Sequence, residues 1–201
     1  MAFSLQPYGL RPINKIGGTP FAGSTRAIKI ASAYSSNIFN GEAVVIDATT
    51  GTLVAMDVGT SPRVVGVFMG CQFTQASSTR YFINSNFWPA STVAADALGH
   101  VIDDPFALFQ IQADGTVPQT ALGENVNVSA TSGFTGLTGS TVTGKSLMAA
   151  AATTATTAGF PWRLIDFVNN PGQGSTVGDA FTELVVSWNF GIHSYQIAAG
   201  V

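Results

Sequence analysis

The sequence predicts an all-β fold: a sandwich or barrel of about ten short strands, preceded by an extended N-terminal arm. Three observations carry the prediction. Apolar residues alternate with a period of two in several short runs, glycine-rich turns separate those runs, and no long segment has the 3.6-residue period of an amphipathic helix. Such a pattern buries its apolar faces by packing sheet on sheet or by closing a sheet on itself. The implied organisation is an arm over residues 1–25 and a β-rich domain over 26–201, with a Thr/Gly/Ala-rich excursion at about 131–160.

The arm contains Pro7, Pro12, Pro20 and four glycines, which predicts extended chain without a regular element. Fully stretched, it would reach roughly 80 Å. Phe3, Leu5, Tyr8, Leu10 and Ile13 give it apolar anchors, so it is expected to lie on its own domain or on a neighbour's. Strands are then predicted over Ala27–Ala31, Glu42–Asp47 and Thr52–Met56. The last two form a hairpin turned by Thr49-Thr50-Gly51, where glycine permits positive φ. Arg63–Phe73 is a long apolar strand whose Gly66 and Gly70 predict a bulge or a close backbone contact. A shorter strand is predicted at Arg80–Asn84.

The run HVIDDPFALFQIQ, His100–Gln112, reads as one strand, apolar on both faces at its start and closed by the Asp114-Gly115 turn. Val126, Val128 and Ala130 alternate with polar residues, and Trp162–Val168 is a further strand. In FTELVVSWNF, Leu184, Val186, Trp188 and Phe190 share one face, the pattern of a strand with one buried side. The excursion reads either as strands with a loop or as a short helix near Leu147–Ala152; a sheet-edge excursion fits better, because helix signals are scarce elsewhere.

Composition narrows the function. Apolar residues make up 46% of the 201, charged residues only 9%, and the net charge is −3. An ordinary soluble domain is about 25% charged. High hydrophobicity with low charge excludes a disordered chain. The eight Lys and Arg are scattered, with no stripe to neutralise nucleic-acid phosphates. A surface this poor in charge predicts burial against other protein; the alternative is a weakly charged monomer kept soluble by Thr, Ser and Asn. Cys71 is the sole cysteine, which excludes an intrachain disulfide and a cysteine zinc cluster. No secretory signal or membrane-spanning run is read, so the sequon at Asn127-Val128-Ser129 carries no weight.

Three segments are candidates for chemistry. GSTVTGKS, Gly139–Ser146, fits the phosphate-loop pattern, with Lys145 for the phosphates and Ser146 for magnesium. Its context argues for a plain surface loop: the preceding segment is a poor buried strand, and threonines interrupt any helix after it. Asp103 and Asp104 pair two carboxylates near His100, yet Asp104-Pro105 also makes a strand-entry turn whose acids serve in ion pairs. His100 and His193 are the only histidines, too few for a His-rich metal site, and no G-x-S-x-G elbow is present. Asn86-Phe87-Trp88-Pro89 reads as an aromatic corner: a sugar platform, a contact knob or ordinary core. The chain is therefore read as a non-enzyme without a cofactor.

Four segments together resemble the tailed-phage capsid cement, or head-decoration, proteins. They are MAFSLQPYGLRPI at the start, Phe87–Ala90, VIDDPFALFQIQ at 101–112 and ELVVSWNFGIH at 183–193; the third is the most specific, and 131–160 has no counterpart. The resemblance implies a β-rich virion protein, commonly trimeric, on the outer surface of the capsid. There it would cement neighbouring major capsid subunits, with neither nucleic acid nor membrane as a partner. The contact residues expected on this basis are Phe3, Tyr8, Arg11, Phe87 and Trp88, with Asp103 and Asp104 in interface ion pairs. Deleting residues 1–20 is then expected to weaken attachment and leave the β-domain folded. The alternative is a virion-surface module that binds host glycans or a receptor through the aromatic corner.

Overall fold

Val64–Gln75 is the longest strand and the axis of one of two sheets. The computed structural model describes residues 5–57, 63–75, 81–131, 133, 138–169 and 176–197; Phe3 lies outside them. Twelve strands occur among the described residues: β1 (Arg11–Lys15), β2 (Arg26–Lys29), β3 (Glu42–Ile46), β4 (Leu53–Ala55), β5 (Val64–Gln75), β6 (Tyr81–Ser85), β7 (Leu98–Ile102), β8 (Ala107–Gln112), β9 (Asn125–Val128), β10 (Ala150–Ala155), β11 (Trp162–Phe167) and β12 (Glu183–Trp188). One sheet has the order β1-β8-β12-β11-β9-β10; the other runs β2-β7-β5-β3-β4, with β6 paired to the far end of β5. The fold is all-β, as the alternation predicts.

The two sheets share a core. Val64, Val67 and Ile102 of the second sheet meet Phe109, Ile111, Leu164, Leu184, Val186 and Trp188 of the first. The first sheet curls until Ala150, at the start of β10, forms a parallel bridge with Ala113, just past β8. The Asp114 N–H donates to the Ala150 carbonyl at 2.9 Å, and Asp114 Oδ1 accepts from the Ala152 N–H at 2.8 Å. The middle of the second sheet, β5 with parts of β3 and β7, is buried on both faces, while β2 and β6 are largely exposed. The sheet's outer side carries a second core of Ile30, Ile38, Val44, Leu53, Phe68, Phe73, Trp88 and Val101, drawn from strands and from the connections between them. A strand covered on both faces needs apolar residues at odd and even positions alike, which is why β5 reads as a continuous apolar run.

The glycines in β5 do what their positions predict. A Cβ on Gly66 would lie 2.0 Å from the Ile102 carbonyl oxygen, and Gly70 sits at φ 145°, where the pairing with β7 shifts register. The β3–β4 hairpin also forms as read: Gly51 has φ 66°, and Asp47 Oδ1 accepts from the N–H groups of Thr49 and Thr50 at 2.8 Å each. Those bonds hold the Asp47 carboxyl below the usual carboxylate range. The excursion supplies β10, an edge strand beside β9, and residues 147–152 hold no helix.

Three expectations need correction. Within the segment read as free of regular structure, Arg11–Lys15 is an edge strand paired to β8, and Leu10 is buried in the inter-sheet core. Deleting residues 1–20 would remove both, so it is no clean test of attachment. His100–Gln112 is two strands, not one: β7 belongs to the second sheet and β8 to the first. The crossover is Asp103–Phe106, where Pro105 lacks a ladder donor and Asp104 Oδ1 accepts from the Phe106 N–H at 2.9 Å. Phe190 does not continue the buried face of β12. That strand ends at Trp188, and Asn189 turns the chain by donating from Nδ2 to the Ala158 and Phe160 carbonyls at 3.0 Å each, which leaves Phe190 80% exposed.

Candidate functional site

Tyr8 and Arg11 are positioned by a glycine crossing. The Leu10 N–H donates to the Gly41 carbonyl at 2.7 Å, and a Cβ on Gly9 would stand 2.6 Å from that oxygen. Gly9 and Gly41 both have positive φ, 76° and 85°. The close approach seats Leu10 in the core, while the Arg11 guanidinium lies over the Tyr8 ring, 5.3 Å from its centroid. The Tyr8 hydroxyl is buried without a hydrogen bond of good geometry. Burial, with the neighbouring Glu183 charge, raises its pKa well above the ordinary tyrosine value.

A second segment meets this one. Residues 139–146 form a turn closed by an antiparallel bridge between Gly139 and Ser146. Asn40 clamps it from below: its N–H donates to the Gly144 carbonyl and its own carbonyl accepts from the Ser146 N–H, each at 2.9 Å. Gly139 packs against the Phe39 ring so closely that a Cβ would lie 2.3 Å from it. The result is a cleft of about 280 Å³ lined by Tyr8, Leu10, Arg11, Pro12, Asn40, Met69 and Lys145. Arg11 and Lys145 are solvent-exposed, and neither forms an ion pair among the described residues.

GSTVTGKS lacks the geometry of a phosphate loop. A phosphate loop needs backbone N–H groups converging on an empty concavity at a helix N-terminus. Here the N–H groups of Thr143, Gly144, Lys145 and Ser146 donate to Ser140 Oγ, the Ser140 carbonyl, Thr143 Oγ1 and the Asn40 carbonyl. Ser146 is buried, its Oγ accepts from the Met148 N–H at 3.0 Å, and extended chain follows. Lys145 is conspicuous in the sequence for a motif, but its place in the fold is the wall of this cleft.

The aromatic corner is not an exposed platform. Trp88 is completely buried, edge-on to Phe73 with centroids 5.2 Å apart, and its backbone exchanges hydrogen bonds with Ile38. Trp88 is therefore core and not a contact residue, because the connections around Ile38 and Ala94 cover the outer face of the second sheet. Phe87 is half-buried and stacks on Phe39 at 5.7 Å. Cys71 lies beneath the same corner, donating its thiol to the Phe87 carbonyl at 3.3 Å, and burial pushes its pKa up to about 12.

Asp103 and Asp104 are engaged within the chain. Asp104 pairs with Lys15 at 2.6 Å and Asp103 with Arg26 at 2.7 Å; Asp103 also accepts from the Tyr195 hydroxyl at 3.0 Å. Burial acts to raise the Asp104 pKa but is outweighed by Lys15 and the Phe106 N–H, so the carboxyl sits below its usual range. The two pairs tie β1 and β2, one from each sheet, to the crossover between β7 and β8. Among the described residues, no group of three or more His, Cys, Asp or Glu is arranged to hold a metal ion.

Of the predicted contact residues, the structure brings Tyr8 and Arg11 into one cleft and places Phe87, Trp88, Asp103 and Asp104 elsewhere. Asn40, Met69 and Lys145 complete the cleft without a sequence signal that links them. Large apolar side chains are exposed outside it, among them Val142 at 93%, Phe190 at 80% and Phe82 at 63%. Comparison with family models, with curated proteins and with solved structures gives no match.

Proposed function

We propose that this chain is a structural virion protein of a tailed phage, attached to the outer surface of the capsid, where it cements neighbouring major capsid subunits as a homotrimer. The observation that carries the reading is the surface. An all-β body with 9% charged residues leaves Val142, Phe190, Phe82 and Phe106 exposed, and a surface so poor in charge favours association with other protein. A cement needs no reacting group. It needs a rigid body with several modest contacts, and three copies joined in a trimer turn those contacts into one strong attachment through effective concentration. The resemblance of 101–112 to cement proteins points the same way. That run includes the crossover joining the two sheets, so most of it serves the scaffold, with Phe106 left exposed for contact. The rival reading, glycan or receptor binding through the aromatic corner, loses its platform with Trp88 buried.

The test mixes purified protein with capsids that lack it and counts bound copies per particle after sedimentation. A count near that of the major shell subunit is expected. A dozen copies or fewer would point to a vertex or tail component and overturn the cement reading. A monomer that ignores capsids at every concentration would overturn it entirely.

A further inference from the structure

We propose that the cleft between Arg11 and Lys145 is a docking site for an acidic side chain, Asp or Glu, presented by a protein partner. The proposal rests on the preceding reading only in taking the carboxylate to be borne by a protein. Two cations from separate segments line one cavity, and neither has an ion-pair partner among the described residues. Lys15 and Arg26, by contrast, have carboxylates at 2.6 and 2.7 Å. Arg11 is pre-oriented by the Tyr8 ring beneath it, and the main chain that carries Lys145 is held by the clamp at Asn40, so docking would cost little ordering of either backbone segment.

The remaining walls choose among anions. Leu10, Pro12 and Met69 are apolar and suit the hydrocarbon stem of a side chain. A cavity of about 280 Å³ lies just below the usual range of small-molecule pockets, roughly 300–1,000 Å³. It has room for a side chain. Phosphate is disfavoured because the N–H groups of Thr143 to Ser146 already donate to protein acceptors. What is left for the ligand is a guanidinium and an ammonium, the donors that recognise carboxylates. The nearby acid Glu183 is itself held, its Oε2 accepting from Gln110 Nε2 at 2.5 Å.

The experiment titrates the full chain with a labelled short peptide carrying two glutamates and with its glutamine counterpart, at low and moderate salt. The glutamate peptide is expected to bind at least tenfold more tightly, and added salt is expected to weaken it. Arg11→Gln together with Lys145→Gln should abolish the difference with only a small shift of the unfolding midpoint, from loss of the Arg11–Tyr8 contact, since both residues are exposed. Changing the peptide leaves the protein untouched, so the comparison stands even if the double variant is destabilised. Equal binding of both peptides, or no binding of either, would overturn the proposal, as would an unaltered preference in the double variant. Inorganic phosphate competing at lower concentration than glutarate would also overturn it, by identifying a free oxyanion site. Peptide binding without capsid attachment would retain the cleft and remove the capsid reading; capsid attachment with no preference between the two peptides would do the reverse.

Discussion

Replacing Trp88 separates a core residue from a contact residue. The side chain is fully enclosed among Phe73, Ile38 and the outer face of the second sheet. A buried tryptophan removes roughly 150–250 Å² from water, or about 4–6 kcal/mol at ~25 cal/mol per Å². One term opposes this. Its Nε1–H is buried without a partner, which costs about 1–3 kcal/mol. Trp88→Ala should therefore destabilise by about 3 kcal/mol, at the lower end of the range for such truncations. In a chain of 201 residues that lowers Tm by about 6–12 °C. Trp88→Phe keeps most of the apolar volume and removes the orphan donor, so it should cost only ~1 kcal/mol or less. Urea and thermal unfolding followed by circular dichroism measure both, and capsid binding at 10 °C measures attachment of the folded variants. The reasoning fails if Trp88→Ala unfolds within about 0.5 kcal/mol of the parent chain, the range of a surface substitution, while attachment is lost.

Two further outcomes are expected. Gly66→Ala would drive a methyl group into the Ile102 carbonyl and force β5 away from β7, costing about 2–3 kcal/mol in chemical denaturation; an unchanged midpoint would refute the close approach. Glu42 is buried, with Oε2 accepting from the Phe39 N–H and Oε1 unpartnered, and burial raises its pKa well above the carboxylate range. The folded state therefore holds a proton that the unfolded chain releases, so this contribution is fully present below about pH 4.3 and is lost as pH rises towards the folded pKa. Glu42→Gln should flatten that decline and exceed the parent chain by about 1 kcal/mol or more at pH 8, an advantage that shrinks towards pH 4; parallel pH–stability curves for the two proteins would count against it.

Features with a local cause were readable in advance. The β3–β4 hairpin depends on Asp47, Thr49, Thr50 and Gly51, all within one turn. The buried face of β12 depends on alternation inside six residues. That alternation misleads only at Phe190, where the neighbouring Asn189 bonds to a distant segment and turns the chain. The long apolar run of β5 announced a buried strand, and its glycines a close contact. The candidate site was only half legible. Tyr8 and Arg11 stand out as an aromatic and a cation in one short stretch, but Lys145 joins them through main-chain bonds at Asn40.

Alternation and turn chemistry are nearest-neighbour properties, so residue order alone sufficed for the all-β class, most strand positions and the scarcity of surface charge. Which sheet each strand joins, whether Trp88 faces solvent, and which cations share a cleft depend on packing between segments far apart in the chain. Asp103–Phe106 makes the point: the residues mark a turn, but the passage from one sheet to the other is set by the ladders on either side, β7 with β2 and β5, β8 with β1 and β12. Covering the middle of the second sheet on both faces then turned an apparent aromatic corner into core.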